Sequence, residues 1–436
     1  MDARPPSRTL GRTLLTGLTG LALAAVPCTA TATAAPEPTT GAEVVLDWNR
    51  TAEAVLNQDA KLYSAEQFVW HGFVSAAVYN AVVGIEGHFK PYKWRVRGPH
   101  DASPEAAAAT AAHRVLSTYF PTSKSRLDAA LHDSLAKIPD GPAEDRGVAF
   151  GERAARHLVR LRADDGRDAQ VTYDRPPTAG VWRPTPPANA EFALPWLTRT
   201  RPLLLDSPDQ LLPEPPPALT SRQYAADVAE VRALGGKNST ARTARQTETA
   251  RFFADVLPVQ FQTAYRGWAT RHGLDLAETA LLFAAANTAT ADATISAWHA
   301  KYTHAQWRPI TAIRLAGTDG NPATEPDPAW EPLLRTPAYP DYVSGHCAVD
   351  GAAVTVLDLL GDRLGDRARD GDDLDLRIAS AVTGTTRTYH SAADFNRDVR
   401  DARVLGGVHF RTSDDVGNRM GRHIGHLSVE RHFTPV

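Results

Sequence analysis

Cysteine is nearly absent from this 436-residue chain, which has two, Cys28 and Cys347. Cys28 lies in an N-terminal stretch that reads as a removable leader, so the mature part would keep a single thiol. An internal disulfide framework and a cysteine cluster for zinc or iron are thereby excluded. An excess of charge of one sign is lacking as well. The net charge is −3 with 22% charged residues, and both signs are interspersed, which gives no electrostatic reason to expect nucleic acid or a membrane surface as partner. The apolar run near the N-terminus is too short for a stable span, so no membrane span is expected. Runs of alternating β-branched residues and repeats of fixed period are not evident either. What the chain does have is helical periodicity, a 43% share of hydrophobic residues, and enough length for two packed halves.

Residues 1–34 have the layout of a secretory signal peptide. Arg4, Arg8 and Arg12 precede "LLTGLTGLALAAV", and small residues follow, with Ala32 and Ala34 as a cleavage pair. No twin-arginine pair is present, and Pro27 beside Cys28 makes a poor lipobox. The expectation is export by the general route and a secreted, extracellular protein.

From about residue 42 the pattern predicts an all-α fold of two helical bundles. "VVLDWNRTAEAVLNQ" and "AEQFVWHGFVSAAVYNAVVGI" space apolar residues three and four apart, as a helix with one buried face requires. Ser103 followed by Pro104 is a preferred helix start, and the periodicity "AEDRGVAFGERAARHLVRLRADD" runs to about residue 165. An N-terminal bundle over 42–170 would thus be followed by a Pro-rich connection over 171–219, where many backbone donors are missing. A loop of that length suggests an ordered wrap that links two halves or covers a site, with disorder as the alternative. Helical segments then resume in a C-terminal bundle over 220–436.

Three pieces of that second half carry residue types suited to one chemistry. In "AWHAKYTHAQWRP" Lys301 and Arg308 sit among Trp298, Tyr302 and Trp307 with no carboxylate in the stretch. "YPDYVSGHCA" brings Ser344, Gly345 and His346 to a helix start, and Arg403 precedes His409 by six positions. A tetrahedral or trigonal oxyanion such as phosphate or vanadate needs several donors and two or more fixed cations. Two arginines, a lysine, a serine hydroxyl and a backbone N–H at a helix N-terminus supply them, and two histidines add a nucleophile or ligand and an acid/base. Taken singly each piece is weak, because Lys and Arg at helical spacing are usually solvated.

The ordered set K-x6-R-P, S-G-H, R-x5-H resembles the three-part signature shared by the vanadium-dependent haloperoxidases and the type 2 phosphatidic acid phosphatases, which include bacterial acid phosphatases. Trp298, Trp307 and the chain length resemble the haloperoxidase branch more; Tyr79, Asn80, Ala81 and "ETARFFA" are fainter echoes. The resemblance implies a vanadate cofactor, or phosphate in a phosphatase, held by Lys301, Arg308, Arg403, Ser344 and the Gly345 N–H. It implies His409 as the metal ligand or phosphorylated nucleophile, His346 as the acid/base, Lys301 as a polarising group, Trp298 packed along the cage, with Trp307 as a second wall, and Tyr339 near the halide. The implied activity is oxidation of halide by hydrogen peroxide, with an organic acceptor as a further partner and the oligomeric state left open. A phosphomonoesterase working through phospho-His409, and a non-catalytic oxyanion-binding protein, are the alternatives.

The pattern also departs from the family. Ala402 stands at a motif serine and Val343 at a motif proline. The aspartate that commonly lies four residues after the apical histidine is Ser413, with Asp414 next, so either of these would orient His409. Cys347, beside His346, is expected to be buried, away from oxidants. His304 would lie near the cage or on the surface. His423 and His426 read as surface residues, and "GGKNST" lacks the leading glycine of a phosphate loop.

Overall fold

Helices begin where the sequence offers caps. The Ser103 hydroxyl accepts the Ala106 amide ahead of Pro104, while Thr243 with Gln246 and Asp275 with Glu278 form reciprocal capping boxes; such caps contribute about 1 kcal/mol each. The computed structural model describes residues 41–364 and 374–436. The leader read at 1–34 and most of the acidic turn near residue 370 lie outside the described residues. Before the Pro-rich segment come α1 (Ala42–Glu53), α2 (Ser64–Glu86), α3 (Pro104–Tyr119), α4 (Lys124–Leu135) and α5 (Pro142–Leu161). After it come α6 (Arg222–Gly235), α7 (Ala244–Phe252), α8 (Leu257–Arg271), α9 (Leu276–His304), α10 (Pro309–Arg314), α11 (Gly345–Leu364), α12 (Ala392–Leu405) and α13 (Arg411–Leu427). The fold is all-α in class.

One strand pair departs from the sequence expectation. β1 (Leu376–Ser380) and β2 (Thr385–Tyr389) form an antiparallel hairpin in register from Leu376↔Tyr389 to Ser380↔Thr385. Leu376, Ile378 and Ser380 are buried while Arg377 and Ala379 are exposed, the period-two pattern of a half-buried strand. Five residues per strand are too few to stand out from the helical background of the sequence.

The core is built on α2 and α9, which pack along each other. α2 is long and apolar enough to cross a membrane, yet 89% of its most apolar window is inside the fold. Gly72 lets the two helices approach, since an added Cβ would come 3.2 Å from both the Asn287 carbonyl and the Ala291 methyl. The main cluster of buried apolar residues includes Val45 and Phe433 and draws on both halves of the chain. Asn80 is part of the scaffold, donating to and accepting from the Tyr92 backbone at 2.9 and 2.7 Å.

The Pro-rich connection substitutes specific anchors for a hydrogen-bond ladder. Asp292 of α9 accepts the amides of Leu203, Leu204 and Leu205 at 2.6, 2.7 and 2.9 Å. Trp182 N–H reaches the Ala305 carbonyl at 2.7 Å, and Ala193 N–H reaches Ala338 at 2.8 Å. Buried polar backbone is satisfied one group at a time.

α11 and α13 lie against each other through glycine. Gly417, Gly421 and Gly425 recur every four residues on one face of α13. A Cβ at Gly417 would meet the Ser344 carbonyl at 2.5 Å and one at Gly421 would collide with the Ala348 backbone, while on α11 a Cβ at Gly351 would meet the Asn418 carbonyl at 2.6 Å. This close crossing joins the start of α11, at Ser344, to the start of α13, just after His409.

Candidate oxyanion site

Lys301 lies one turn before the end of α9, and the chain reverses at Ala305, whose φ of 52° closes the helix. Arg308 then takes extended angles as the N-cap of α10, with Pro309 at the first helical position, where its missing N–H costs nothing. The K-x6-R-P spacing is therefore one helix end, one turn and one helix start. In the same way R-x5-H is the last turn of α12, a bend at Gly407 with φ 74°, and the approach to α13.

Lys301, Arg308, Ser344, Arg403 and His409 are all buried, whereas Gly345 and His346 are partly exposed. Lys301 Nζ donates to the carbonyls of Pro340, Asp341 and Val343 at 2.9, 2.9 and 2.6 Å, using all three ammonium protons to shape the loop ahead of α11. Arg308 Nε donates to the Tyr339 carbonyl at 2.7 Å, and its Nη1 donates to Val408 at 2.7 Å and lies 3.1 Å from His409 Nε2. Arg403 Nη1 reaches the Phe253 carbonyl at 3.2 Å, so the "ETARFFA" segment supports the cage from behind. Ser344 caps α11, its Oγ accepting the Cys347 amide at 3.4 Å. An added Cβ at Gly345 would come 3.2 Å from the Trp298 indole and 3.8 Å from Lys301 Cε, so a side chain here would crowd the wall of the cage.

The aromatic wall is Trp298 with Tyr339. Their rings are 4.7 Å apart, and Lys301 Nζ lies 5.0 Å and Arg308 Cζ 4.9 Å from the Tyr339 centroid. The Trp298 indole N–H is tied to the Ala193 carbonyl at 3.0 Å, so the Pro-rich segment fixes this wall. Trp307, expected as a second wall, packs in a separate cluster with Tyr224, Val231 and Trp330. Its neighbour Arg308 turns toward the cage while the indole turns away.

Two expectations about acids need correction. Lys301 and Arg308 do have a carboxylate beside them, because Asp341 of the "YPDYVSGH" loop has Oδ1 3.6 Å from Arg308 Nη1. The carboxylate beside the His409 ring is this same aspartate, with Oδ1 2.9 Å from Nδ1 but no aligned hydrogen bond. Ser413 Oγ is 3.5 Å from Nδ1 and donates to the Asp341 carbonyl at 3.0 Å. Asp414 accepts the Cys347 thiol at 3.3 Å. Asp341 was missed because it lies far from His409 in sequence; its position three residues before Ser344 was the available signal.

Electrostatics favour an anion. Burial, then Arg308, Lys301 and Arg403, hold His409 well below the usual histidine range, and burial with the same cations does so for His346. Both imidazoles are therefore neutral near pH 7. Burial, followed by Arg308, also pushes Lys301 down, and burial pushes Asp341 up to about 6 and Asp350 and Asp414 well above the carboxylate range. Arg308 Nη2, Arg403 Nε and His346 Nε2 are buried and without a protein partner. The two guanidinium N–H groups are unpaired donors that cost about 1–3 kcal/mol each, and an oxyanion bound between them would supply acceptors. Among the described residues no group of three or more His, Cys, Asp or Glu is placed to hold a metal ion. The donors present fit a vanadate or phosphate held by hydrogen bonds and one histidine.

Other predicted positions fall outside the cage. His304 Nε2 lies 3.1 Å from the Pro213 carbonyl, and His423 is exposed. His426 pairs with Glu430 at 3.0 Å. Cys347 is fully buried, as expected.

Comparisons with known proteins point one way. Residues 281–435, which contain every motif residue, match the family described as the VCPO second helical-bundle domain. The C-terminal part of the chain is therefore similar to the vanadium-dependent haloperoxidases. It is 24% identical over 333 residues, 64% of its length, to the vanadium chloroperoxidase of Curvularia inaequalis, and it spans about half of that relative, 54%. A bacterial vanadium-dependent iodoperoxidase shares the fold with a TM-score of 0.74 at 24% identity, over 91% of this chain and 99% of that one. The holo form of a bacterial vanadium-dependent chloroperoxidase does so with a TM-score of 0.66 at 20% identity, over 88% and 96%. At these identities the structures speak to the haloperoxidase fold.

Proposed function

We propose that the chain is a vanadate-dependent haloperoxidase-like enzyme that oxidises halide with hydrogen peroxide, and that it is exported through the leader at residues 1–34. The observation that carries the reading is the set of unpartnered polar atoms, Arg308 Nη2, Arg403 Nε and His346 Nε2, around the neutral ring of His409. Arg308, Arg403, the Ser344 hydroxyl and the Gly345 N–H would hold vanadate, with His409 as its protein ligand and Lys301 contributing charge through the loop it braces. Bound vanadate would supply a Lewis acid that polarises peroxide for attack by halide. His346, neutral and partly exposed, would take the proton that peroxide gives up on binding. The fixed cations stabilise charge without reorganising, and Trp298 and Tyr339 keep that side of the cage dry.

The deciding experiment incubates the purified protein with orthovanadate, then measures peroxide-dependent bromination beside phosphomonoester hydrolysis without vanadate. Halide oxidation that depends on vanadate and is lost in His409→Ala is the expected result. Hydrolysis without bromination at any vanadate level, itself lost in His409→Ala, would assign the cage to a phosphatase instead. The preferred halide and any organic acceptor are read from the same assay by varying each.

A further inference from the structure

We infer that Asp341 is the positioning residue of His409: it holds the Nδ1 edge of the ring, so that the Nε2 lone pair faces the cage. The inference rests on the oxyanion-site reading for its purpose, but the ring orientation is a property of the protein alone.

The geometry separates Asp341 from its rivals. Its Oδ1 is 2.9 Å from Nδ1, and because both its buried oxygens otherwise have no hydrogen-bond partner, the Nδ1 proton is the donor within closest reach; Ser413 Oγ is 3.5 Å away and spends its proton on the Asp341 carbonyl. Asp414 is turned toward the start of α11, where its Oδ1 receives the Cys347 thiol. Arg308 Nη1 lies 3.1 Å from Nε2 and 3.4 Å from Nδ1, nearer the nitrogen that Asp341 does not face. A guanidinium has only protons to offer and a carboxylate only lone pairs, so the neutral ring that satisfies both neighbours carries its proton on Nδ1. Nε2 is then the nitrogen with a lone pair on the cage side.

Asp341 is itself held. Its amide donates to the Gln306 carbonyl at 2.9 Å, and its own carbonyl accepts Lys301 Nζ at 2.9 Å and the Ser413 hydroxyl at 3.0 Å. Lys301 and Ser413 thus act on His409 indirectly, by fixing the backbone that carries the carboxylate. The orienting acid has moved from the helix that follows the histidine to the loop that precedes the S-G-H piece, and this explains how serine is accommodated at position 413. A carboxylate on the far nitrogen raises the basicity of a ligating imidazole, and losing such a partner typically weakens binding by about 10–100-fold.

The test combines a spectroscopic and a binding readout on the full chain. Long-range nitrogen–proton correlation spectra of histidine-labelled protein, without any ligand, report the tautomer of His409, assigned by its loss in His409→Gln. The Nδ1–H form is expected in wild type and in Ser413→Ala, and its loss in Asp341→Ala. Asp341→Asn, whose amide oxygen still accepts, should restore the tautomer and, if Asp341→Ala fails to fold, supplies the comparison by its retained tautomer and lowered affinity. Titration with orthovanadate should show about 10–100-fold weaker binding in Asp341→Ala and partial recovery in Asp341→Asn. An unchanged tautomer in Asp341→Ala, or its loss in Ser413→Ala alone, overturns the inference. Failure of wild type to bind vanadate or to oxidise halide counts against the proposed function and leaves the tautomer result standing.

Discussion

Arg308 Nη1 and Asp341 Oδ1 are 3.6 Å apart with both side chains fully buried, so the cage carries an acid in direct reach of one of its cations. Arg308 donates to two carbonyls from separate loops, Tyr339 and Val408, and these bonds orient its planar fork. A lysine would keep the charge and lose the fork. Arg308→Lys should therefore leave one or both carbonyls without a donor and weaken orthovanadate and phosphate binding alike. The expected loss is about tenfold or more, from about 1.5–3 kcal/mol for a charge-assisted hydrogen bond, read by calorimetric titration with each anion. Equal affinity in the two proteins would show that charge alone matters here.

Gly421 tests whether helix approach sets the site. Its Cβ position is occupied by the Ala348 backbone, which cannot yield as a side chain would. Gly421→Ala should force α13 away from α11, cost about 1–3 kcal/mol or more by overpacking, and pull the start of α13 away from Ser344. Urea unfolding and orthovanadate titration should both register the change. An alanine with normal stability and normal affinity would mean the crossing has slack.

Much of the cage was legible because its members lie at helix ends, where spacing in sequence becomes position in space. Lys301, Arg308, Ser344, Arg403 and His409 each sit within a turn of a helix terminus, and capping signals such as Asp275 with Glu278 mark where those helices begin. Asp341 was not legible because its partner lies across a tertiary contact, and no local periodicity links one loop residue to a ring on a distant loop. Trp307 misled for the converse reason: it is adjacent in sequence to Arg308, but a turn sends successive side chains in different directions. The glycines of α13 were present as an every-fourth-residue pattern, but which helix they admit depends on the fold.

Asp292 governs the Pro-rich connection. A carboxylate that accepts three successive amides can be replaced by asparagine only with loss, because the amide nitrogen has no lone pair to give. Asp292→Asn should leave one or more of the Leu203, Leu204 and Leu205 amides unpaired in the core and cost about 1–3 kcal/mol. Limited proteolysis offers a second measurement, with faster cleavage between residues 171 and 219 expected in the variant. Unchanged urea stability and an unchanged cleavage rate would show that the neighbouring contacts suffice.

His71 provides a pH test far from the cage. It is 1% exposed on α2, its Nε2 has no partner, and burial, aided by Arg266, lowers its pKa to about 3. Above pH 6.5 the ring is neutral in both folded and unfolded chains, so it contributes its full share to stability there. As the pH falls below 6.5 the unfolded chain takes up a proton that the folded chain refuses, and stability is lost until about pH 3, where both are charged. Between pH 7 and pH 4.5 this group alone should remove about 2–3 kcal/mol, at about 1.4 kcal/mol per pH unit. His71→Leu cannot titrate, and its urea midpoint should fall less across that interval than the wild-type midpoint does. Parallel pH dependence in the two proteins would mean that His71 gains a compensating partner on protonation.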